Sequence, residues 1–264
     1  MLRLDSVTYR HAGARAPTLR AIDLELADGE VVGVVGPNGS GKSTLCLAAA
    51  GFAPRLIGGT LAGRVLVDGT DLASIPIHEV VARVAIAFDD PWTQLSGVTR
   101  TVFEEVAFGP SNLGVPRDQV LEAVAWALRS LAIGDLAERD PARLSGGQQQ
   151  LVAIAGLLAM GARHFVLDEP TAQLDPSGTT LVADAIERLA ADGASILLIE
   201  HKTDLLARVA QRVVVLDDGV VALSGPAHEV LADQRLLGLG VPEPSTVRLG
   251  RRLADAGFDP ALAR

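Results

Sequence analysis

The residues from Gly36 to Thr44 read GPNGSGKST and follow the pattern G-x-x-x-x-G-K-[ST]. They lie between a continuous apolar run at 31–35 and an apolar stretch at 45–52, which predicts the order strand, glycine-rich loop, helix. Glycines let backbone N–H groups close around phosphates, and the helix start adds the positive end of a dipole. Lys42 would reach the β- and γ-phosphates, and Ser43 would bind Mg²⁺. The residues predicted to bind phosphates here are Gly36, Pro37, Asn38, Gly39, Ser40, Gly41, Lys42, Ser43 and Thr44.

Two carboxylates, Asp168 and Glu169, follow the apolar run at 164–167. At the end of a buried strand, Asp168 could hold Mg²⁺ and Glu169 could act as the general base for an attacking water. A solvated strand end is the alternative interpretation. The proline that follows and the phosphate loop upstream favour the site.

The segment LSGGQ at 144–148 precedes the apolar stretch LVAIAGLLAM. Ser145 is a candidate N-cap, and the two glycines behind it allow close backbone approach at a second anion-binding helix start. A capped helix start with no ligand is the alternative. The coincidence with a phosphate loop favours nucleotide binding by Ser145, Gly146, Gly147 and Gln148.

The elements that would position these residues alternate between strands and helices. We predict strands at 2–9, 19–26, 31–35, 63–67, 84–88, 164–167, 195–199 and 212–216, and helices at 178–191, 202–210 and 246–256. Residues Val120, Val124, Ala127, Leu128 and Leu131 share one helical face within a helical region from about 98 to 160. The strands at 2–9 and 19–26 are predicted to be half exposed and the strand at 31–35 fully buried. This alternation predicts an α/β fold with a mostly parallel sheet.

Composition limits the class of protein further. The 264 residues suffice for one well-cored domain with a small appendage, and 48% apolar content rules out disorder. Aromatic residues make up only 3%, so the core must be built from Ala, Val and Leu. The mean hydropathy of +0.31 is high, and the composition alone does not explain this apolar surplus.

Charge and cysteine content point to a soluble cytosolic protein. A net charge of −9 without a basic run predicts no nucleic-acid partner. The lone Cys46 excludes a disulfide framework. An apolar leader, a membrane-spanning run and a covalent membrane anchor are not expected.

Together, GPNGSGKST, LSGGQ and VLDEP make the chain resemble an ATP-binding-cassette ATPase over about residues 2–235. The segment TAQLD at 171–175 resembles the family's D-loop, and His201 resembles its switch histidine. The resemblance implies a P-loop ATPase fold with a mostly parallel central sheet, an antiparallel β subdomain and an inserted helical subdomain at about 90–160. It also implies a cassette at 1–237 and a linker and helix at 238–264.

The resemblance further implies that ATP and Mg²⁺ bind between two cassettes, so that this chain needs a second one, identical or paralogous. Lys42, Ser43, Asp168 and Glu169 would act within the chain. Ser145, Gly146, Gly147 and Asp175 would act across the interface. His201 would sense the γ-phosphate and orient the water, which gives Glu169, His201 and Lys42 as the catalytic set.

Within this family the chain is most similar to ATPase subunits of energy-coupling factor (ECF) transporters for vitamins, cobalt or nickel. The stretches FDDPWTQL, TVFEEVAFGPSNLG and LGLGVPEPSTVRLGRRLADAG carry this similarity. It implies a peripheral location at the cytoplasmic membrane face and an integral-membrane partner. In the family a groove in the helical subdomain receives a helix of that partner. Aromatic and apolar residues gather in the corresponding segment here: Trp92, Leu95, Val98, Val102, Phe103 and Phe108. The prediction concerns the region, and the alternative for each single residue is a place in the core of the subdomain.

Two positions depart from the family pattern. Asp89 lies where a Mg²⁺-binding Gln is usual, and Gln94 follows five residues later. The adenine-stacking ring could come from Tyr9 or His11, with a sheet-edge role as the alternative for Tyr9. The helix at 246–256 could be a dimer contact, a membrane-surface contact or a solvated cap.

Two other functions compete with an importer ATPase. A cassette ATPase acting on DNA or ribosomes would need tandem cassettes, a coiled-coil insertion or a basic face, and none is evident. A clamp that binds ATP with weak hydrolysis would fit the departure at Asp89, but Glu169 and His201 argue against it.

Overall fold

The computed structural model describes residues 1–259 and consists of two sheets and ten α-helices in that range. Four strands form an antiparallel sheet in the order β2-β1-β4-β5: β1 (Leu2–Arg10), β2 (Leu19–Leu26), β4 (Thr60–Val67) and β5 (Thr70–Asp71). Six strands form the second sheet in the order β10-β9-β3-β8-β7-β6: β3 (Val31–Val35), β6 (Val84–Ala87), β7 (His164–Asp168), β8 (Ser195–Ile199), β9 (Arg212–Asp217) and β10 (Val220–Pro226). All pairings in the second sheet are parallel except that of β9 with β10. The predicted fold class is confirmed.

The helices connect and cover these sheets. They are α1 (Lys42–Ala49), α2 (Ile77–Arg83), α3 (Val102–Asn112), α4 (Arg117–Ser130), α5 (Gly146–Ala159), α6 (Pro176–Ala191), α7 (Thr203–Val209), α8 (Ala227–Val230), α9 (Arg235–Gly238) and α10 (Ser245–Asp255). α3, α4 and α5 pack on one another in the region predicted to form a helical subdomain. A reciprocal cap between Thr101 and Glu104 fixes the start of α3.

The six-stranded sheet is covered on both faces, and alternate residues of each strand enter different cores. Val31 and Val35 of β3 pack with α3 to α7, whereas Val32 and Val34 pack with α1 and the antiparallel sheet. The five residues of β3 are all buried, as the sequence predicted. The sheet therefore holds its strand ends rigidly between two separate apolar layers.

Several boundaries differ from the prediction. β4 begins at Thr60 instead of 63, because an irregularity in β1 between Asp5 and Thr8 lets the pairing continue to the end of β1. α1 begins at Lys42, directly after Gly41, whose φ of 103° provides the left-handed N-cap. β6 ends one residue early, at Ala87. The prediction missed β10, whose side chains are exposed or only half-buried along its length.

Candidate functional site

The phosphate loop lies between β3 and α1, at the carboxyl end of a fully buried strand. Gly36 has a φ of 154°, and a Cβ there would collide with the carbonyl oxygen of Leu216 in β9. Only glycine lets the loop pass this close to the neighbouring strand. The loop is thereby held against the sheet, with the start of α1 directly behind it.

Lys42 fills the centre of the loop. Its Nζ donates hydrogen bonds to the carbonyl oxygens of Gly36 at 2.9 Å and Pro37 at 3.0 Å. Burial lowers the pKa of Lys42, while the charges of Glu169 and Asp168 act in the opposite direction. The ammonium group thus lies inside the loop and within electrostatic reach of the acidic pair.

Asp168, the last residue of β7, provides a buried carboxylate beside the phosphate loop. Only 6% of the residue is exposed, and its Oδ1 has no hydrogen-bond partner. Burial raises the pKa of Asp168; a hydrogen bond from Ser43 opposes the rise, and the charges of Glu169 and Asp89 add to it. An unpartnered buried oxygen next to a serine hydroxyl is a donor set that suits Mg²⁺.

Glu169 and His201 meet at the ends of β7 and β8. Glu169 has a φ of 50° and donates its backbone N–H to Ile199 O at 2.9 Å, so a strained backbone is fixed between two strands. His201 Nε2 lies 3.0 Å from Glu169 Oε1. Both side chains are partly exposed, which leaves them accessible to a substrate and a water molecule.

The structure distinguishes Asp89 from Gln94, the two candidates for the Mg²⁺-binding position after β6. Gln94 donates from Nε2 to Ile86 O at 3.0 Å and accepts the N–H of Phe88 on Oε1 at 3.2 Å. Its amide is therefore occupied at the edge of β6. Asp89 is exposed, and its charge acts on the Asp168 carboxylate, so Asp89 is the nearer candidate for Mg²⁺.

The suggestion that Tyr9 stacks on adenine is wrong. Tyr9 is fully buried, its hydroxyl donates to Gly58 O at 2.6 Å, and β1 pairs with strands on both sides, so it is not at a sheet edge either. Its ring has no face free for a ligand. His11 is half-buried, with Nε2 3.3 Å from Thr44 Oγ1 on α1, and it remains the predicted stacking residue.

The LSGGQ residues form a second group at the start of α5. Ser145 and Gln148 cap the helix reciprocally, with Ser145 N–H donating to Gln148 Oε1 at 3.1 Å. Side-chain and backbone oxygens of Gln173 lie directly over Gly146 and Gly147. Asp175 caps α6 by accepting the N–H of Gly178 at 2.7 Å. The structure thus brings LSGGQ and the segment 171–175 together within one chain.

Sequence reasoning missed three polar residues beside His201. Glu200 is 2% exposed, Thr171 is fully buried, and Lys202 is half-buried. Burial raises the pKa of Glu200, and hydrogen bonds from Thr171 and Lys202 oppose that rise. The sequence did contain a signal for two of them, since the charged residues Glu200 and Lys202 flank His201 directly after an apolar strand.

Two features are absent from residues 1–259. None of the helices there has the length and apolar character needed to cross a bilayer. Within the same range, no three His, Cys, Asp or Glu side chains come together as metal ligands.

The glycine-rich loop after a central parallel strand, with an Asp-Glu pair ending a nearby strand, defines a P-loop nucleotide-binding ATPase of the cassette type. The ABC transporter family model matches residues 19–172, and the chain belongs to this family. The predicted family resemblance is confirmed.

Similar proteins agree with this assignment. A putative ABC transporter ATP-binding protein of Pyrococcus horikoshii is 39% identical over 98% of this chain and 91% of its own. An energy-coupling factor transporter ATP-binding protein of Methanosarcina acetivorans is 38% identical over 97% and 91%. Among solved structures, cbiO1 of Clostridium perfringens, part of the ABC transporter complex cbiONQ, is similar with a TM-score of 0.79, 29% identity and coverage of 97% and 96%. A dimeric bacterial ABC transporter cassette is similar with a TM-score of 0.75, 25% identity and coverage of 86% and 99%.

Proposed function

We propose that this protein is the ATP-hydrolysing subunit of an ECF-type importer, which works as one of two cassettes on a separate integral-membrane partner at the cytoplasmic face of the membrane. The observation that carries the proposal is the contact of Glu169 with His201 beside the phosphate loop and Asp168. Phosphoryl transfer needs positioned charge and an oriented water more than covalent chemistry, and this arrangement would supply both.

Lys42 and the loop backbone would bind the β- and γ-phosphates of ATP. The ammonium group now donates to two loop carbonyls, and phosphate oxygens would replace them as stronger, charged acceptors. Ser43, Asp168 and Asp89 would hold Mg²⁺, which would neutralise phosphate charge when bound. The free Oδ1 of Asp168 supports this assignment, because a buried oxygen without a partner is costly unless a ligand meets it.

Glu169 would accept the proton of the attacking water. The strained backbone of Glu169 fixes the point from which its side chain extends. His201 contacts one of the carboxylate oxygens. With a γ-phosphate present, the partly exposed imidazole of His201 could turn from Glu169 to that phosphate. The general base would thereby be released only when ATP is bound.

A second cassette would complete the site. In the proposed pair, the LSGGQ residues and Asp175 of one chain face the phosphate loop of the other. The similarity to a dimeric cassette supports this arrangement. The reciprocal cap at Ser145 supports it too, since it fixes the helix start that would meet the nucleotide.

The membrane partner would dock on the helical segment after β6. Trp92, Val98 and Phe108 are exposed there by 57%, 74% and 41%, although large apolar side chains are usually covered. A cavity of about 110 Å³ lies beside Phe108, which lines it with Met160, Leu157, Gln94 and Glu105. An amphipathic helix that places its apolar face on exposed apolar side chains is a common recognition mode. The names of the similar ECF and cbiONQ proteins support a transport role.

The test uses the chain together with the cassette and membrane subunits that co-purify with it. We expect Lys42→Ala to abolish ATPase activity, and Glu169→Gln to retain ATP binding while slowing turnover at least about 100-fold. Arg208→Ala, an exposed change on α7, serves as the control with near-normal turnover. Equal rates for wild type and Lys42→Ala would refute the site, and retained turnover in Glu169→Gln would refute its role as a base.

A further inference from the structure

The segment that carries His201 is tied to the segment 171–179 through Lys202. Lys202 Nζ donates to Thr171 O at 2.7 Å, Leu174 O at 3.3 Å and Thr179 Oγ1 at 3.1 Å. One ammonium group therefore satisfies three acceptors on the turn before α6 and on α6 itself, and uses all three of its donors. The turn is held at the carbonyl groups of Thr171 and Leu174.

A second connection runs through Glu200, on the other side of His201. Thr171 Oγ1 donates to Glu200 Oε2 at 3.0 Å, and the backbone N–H of Lys202 donates to Glu200 Oε1 at 3.3 Å. Glu200 and Thr171 are both almost completely buried. Because a buried carboxylate is costly without donors, this contact resists separation of the two segments.

The residues at the two ends of these connections belong to different parts of the proposed reaction. His201 contacts Glu169, whereas Leu174 immediately precedes Asp175, the N-cap of α6. Gln173, between the two held carbonyls, lies over Gly146 and Gly147. A displacement of the turn by a second cassette would therefore be transmitted to the backbone on both sides of His201.

We propose that Lys202 and Glu200 are positioning residues, which lock the turn 171–175 to the His201 segment so that Glu169 and His201 are aligned only when the turn is seated. This inference rests on the proposed function. It adds a coupling between the cassette interface and the general base. In this proposal neither residue would touch the substrate, and both would act through His201.

The chain offers a matched control for Lys202. Arg208 also joins α7 to α6, through Asp184 and Glu187, but it does not contact the turn. Lys202→Met and Arg208→Met remove comparable long cationic side chains that contact α6, the first from the N-cap of α7 and the second from α7 itself. Thr171→Val and Thr171→Ser form a second pair, because valine loses the hydroxyl that meets Glu200 and serine keeps it.

The experiment measures ATPase kinetics of the assembled complex, ATP binding, and hydrogen exchange of the segment 171–175. For Lys202→Met and Thr171→Val we expect kcat to fall roughly 10- to 100-fold with ATP affinity unchanged within about twofold, and faster exchange in 171–175. Arg208→Met and Thr171→Ser should keep kcat within about twofold of wild type and leave exchange unchanged.

Unchanged kcat in both Lys202→Met and Thr171→Val would overturn the proposal, as would an equal loss in Arg208→Met. If one variant fails to fold, judged by its melting temperature, the other decides. Failure of the proposed function looks different: the wild-type complex would then hydrolyse no ATP. Exchange in 171–175 would still report whether Lys202 holds the turn.

Discussion

At the scale of single residues, the acidic side chains at the strand ends decide what the site can do. Asp168 is buried with one free oxygen, Glu169 is fixed by a strained backbone, and Asp89 is exposed but close enough to affect Asp168. Two carboxylates near one Mg²⁺ site repel each other when the ion is absent. Asp89 therefore carries an electrostatic cost that a neutral amide would not.

We predict that Asp89→Gln preserves or raises ATPase activity coupled to transport. The amide keeps an oxygen ligand, reaches further and removes a like charge that raises the pKa of Asp168. ATPase rates of the assembled complex over a Mg²⁺ series test this. Asp90→Asn, a change at the neighbouring exposed carboxylate, is the control. A steep loss in Asp89→Gln alone would instead mean that the shorter, charged side chain is itself required.

Motif residues could be predicted from sequence because their backbone requirements are local. The phosphate loop could be predicted from its glycine and lysine spacing between a strand and a helix, although the close approach of Leu216 that requires Gly36 comes from β9. Tyr9 could not be placed in this way, since its burial depends on β4, which is distant in sequence. Glu200 and Lys202 were missed because their partners lie about 30 residues earlier along the chain.

At the scale of elements, strand positions could be predicted from runs of Val, Ile and Leu. The errors occurred where pairing with a neighbouring strand, and not the local hydrophobic pattern, determines the strand. β10 lacks a buried face, but Asp218 and Gly219 before it have φ values of 42° and 75°. An Asp-Gly pair with left-handed φ at both positions is a tight hairpin turn, so the sequence contained a usable signal.

The start of β7 is joined to the turn between β4 and β5 by His164. Its Nε2 lies 3.2 Å from Asp68 Oδ2. The other oxygen of that carboxylate, Oδ1, accepts a hydrogen bond from the Met1 ammonium group. His164 is 1% exposed. Burial lowers the pKa of His164, and the Asp68 carboxylate opposes the shift without cancelling it. The two sheets are therefore linked through a histidine that is neutral near pH 7.

This link predicts a loss of stability on mild acidification. Because the pKa of His164 is lower in the folded than in the unfolded chain, the unfolded chain binds more protons, and stability falls as pH drops below about 6.5. The contribution of one group is at most about 1.4 kcal/mol per pH unit. Between pH 7.5 and pH 5.5, the free energy of unfolding measured in urea should therefore decrease more for wild type than for His164→Gln.

Exposed His228 provides the comparison for this measurement. His228→Gln should lose as much stability as wild type between the two pH values, since its ring is in contact with solvent. Identical losses for wild type and His164→Gln would show that His164 contributes nothing to the pH dependence.

At the scale of the whole molecule, the proposed active site belongs to a pair of chains. The sequence predicted the residues on each side of such an interface through their resemblance to family motifs. Which cassette supplies the other half depends on surface complementarity, which motifs do not encode. The same is true of the partner at Trp92, Val98 and Phe108.

If two copies of this chain form the pair, defects in opposite halves should complement. Lys42→Ala and Ser145→Arg should each abolish ATP hydrolysis alone. Mixing them should restore up to roughly a quarter of the wild-type rate, because about half of the pairs are mixed and each contains one complete site. A mixture of Lys42→Ala with Glu169→Gln, both defective in the same half, should remain inactive. An inactive first mixture beside an active wild-type homodimer would contradict the composite site.

The two separately packed faces of the six-stranded sheet have a consequence for how such a protein can diverge. The buried apolar residues on the α3 to α7 face and on the antiparallel face belong to separate clusters, so the effects of apolar substitutions in the two clusters on stability should largely add. Natural selection could thus reshape the helical face for a new membrane partner while the face behind the phosphate loop stays under its own constraint. The nucleotide site would then be retained on one side of the sheet while the docking surface for the membrane partner changes on the other.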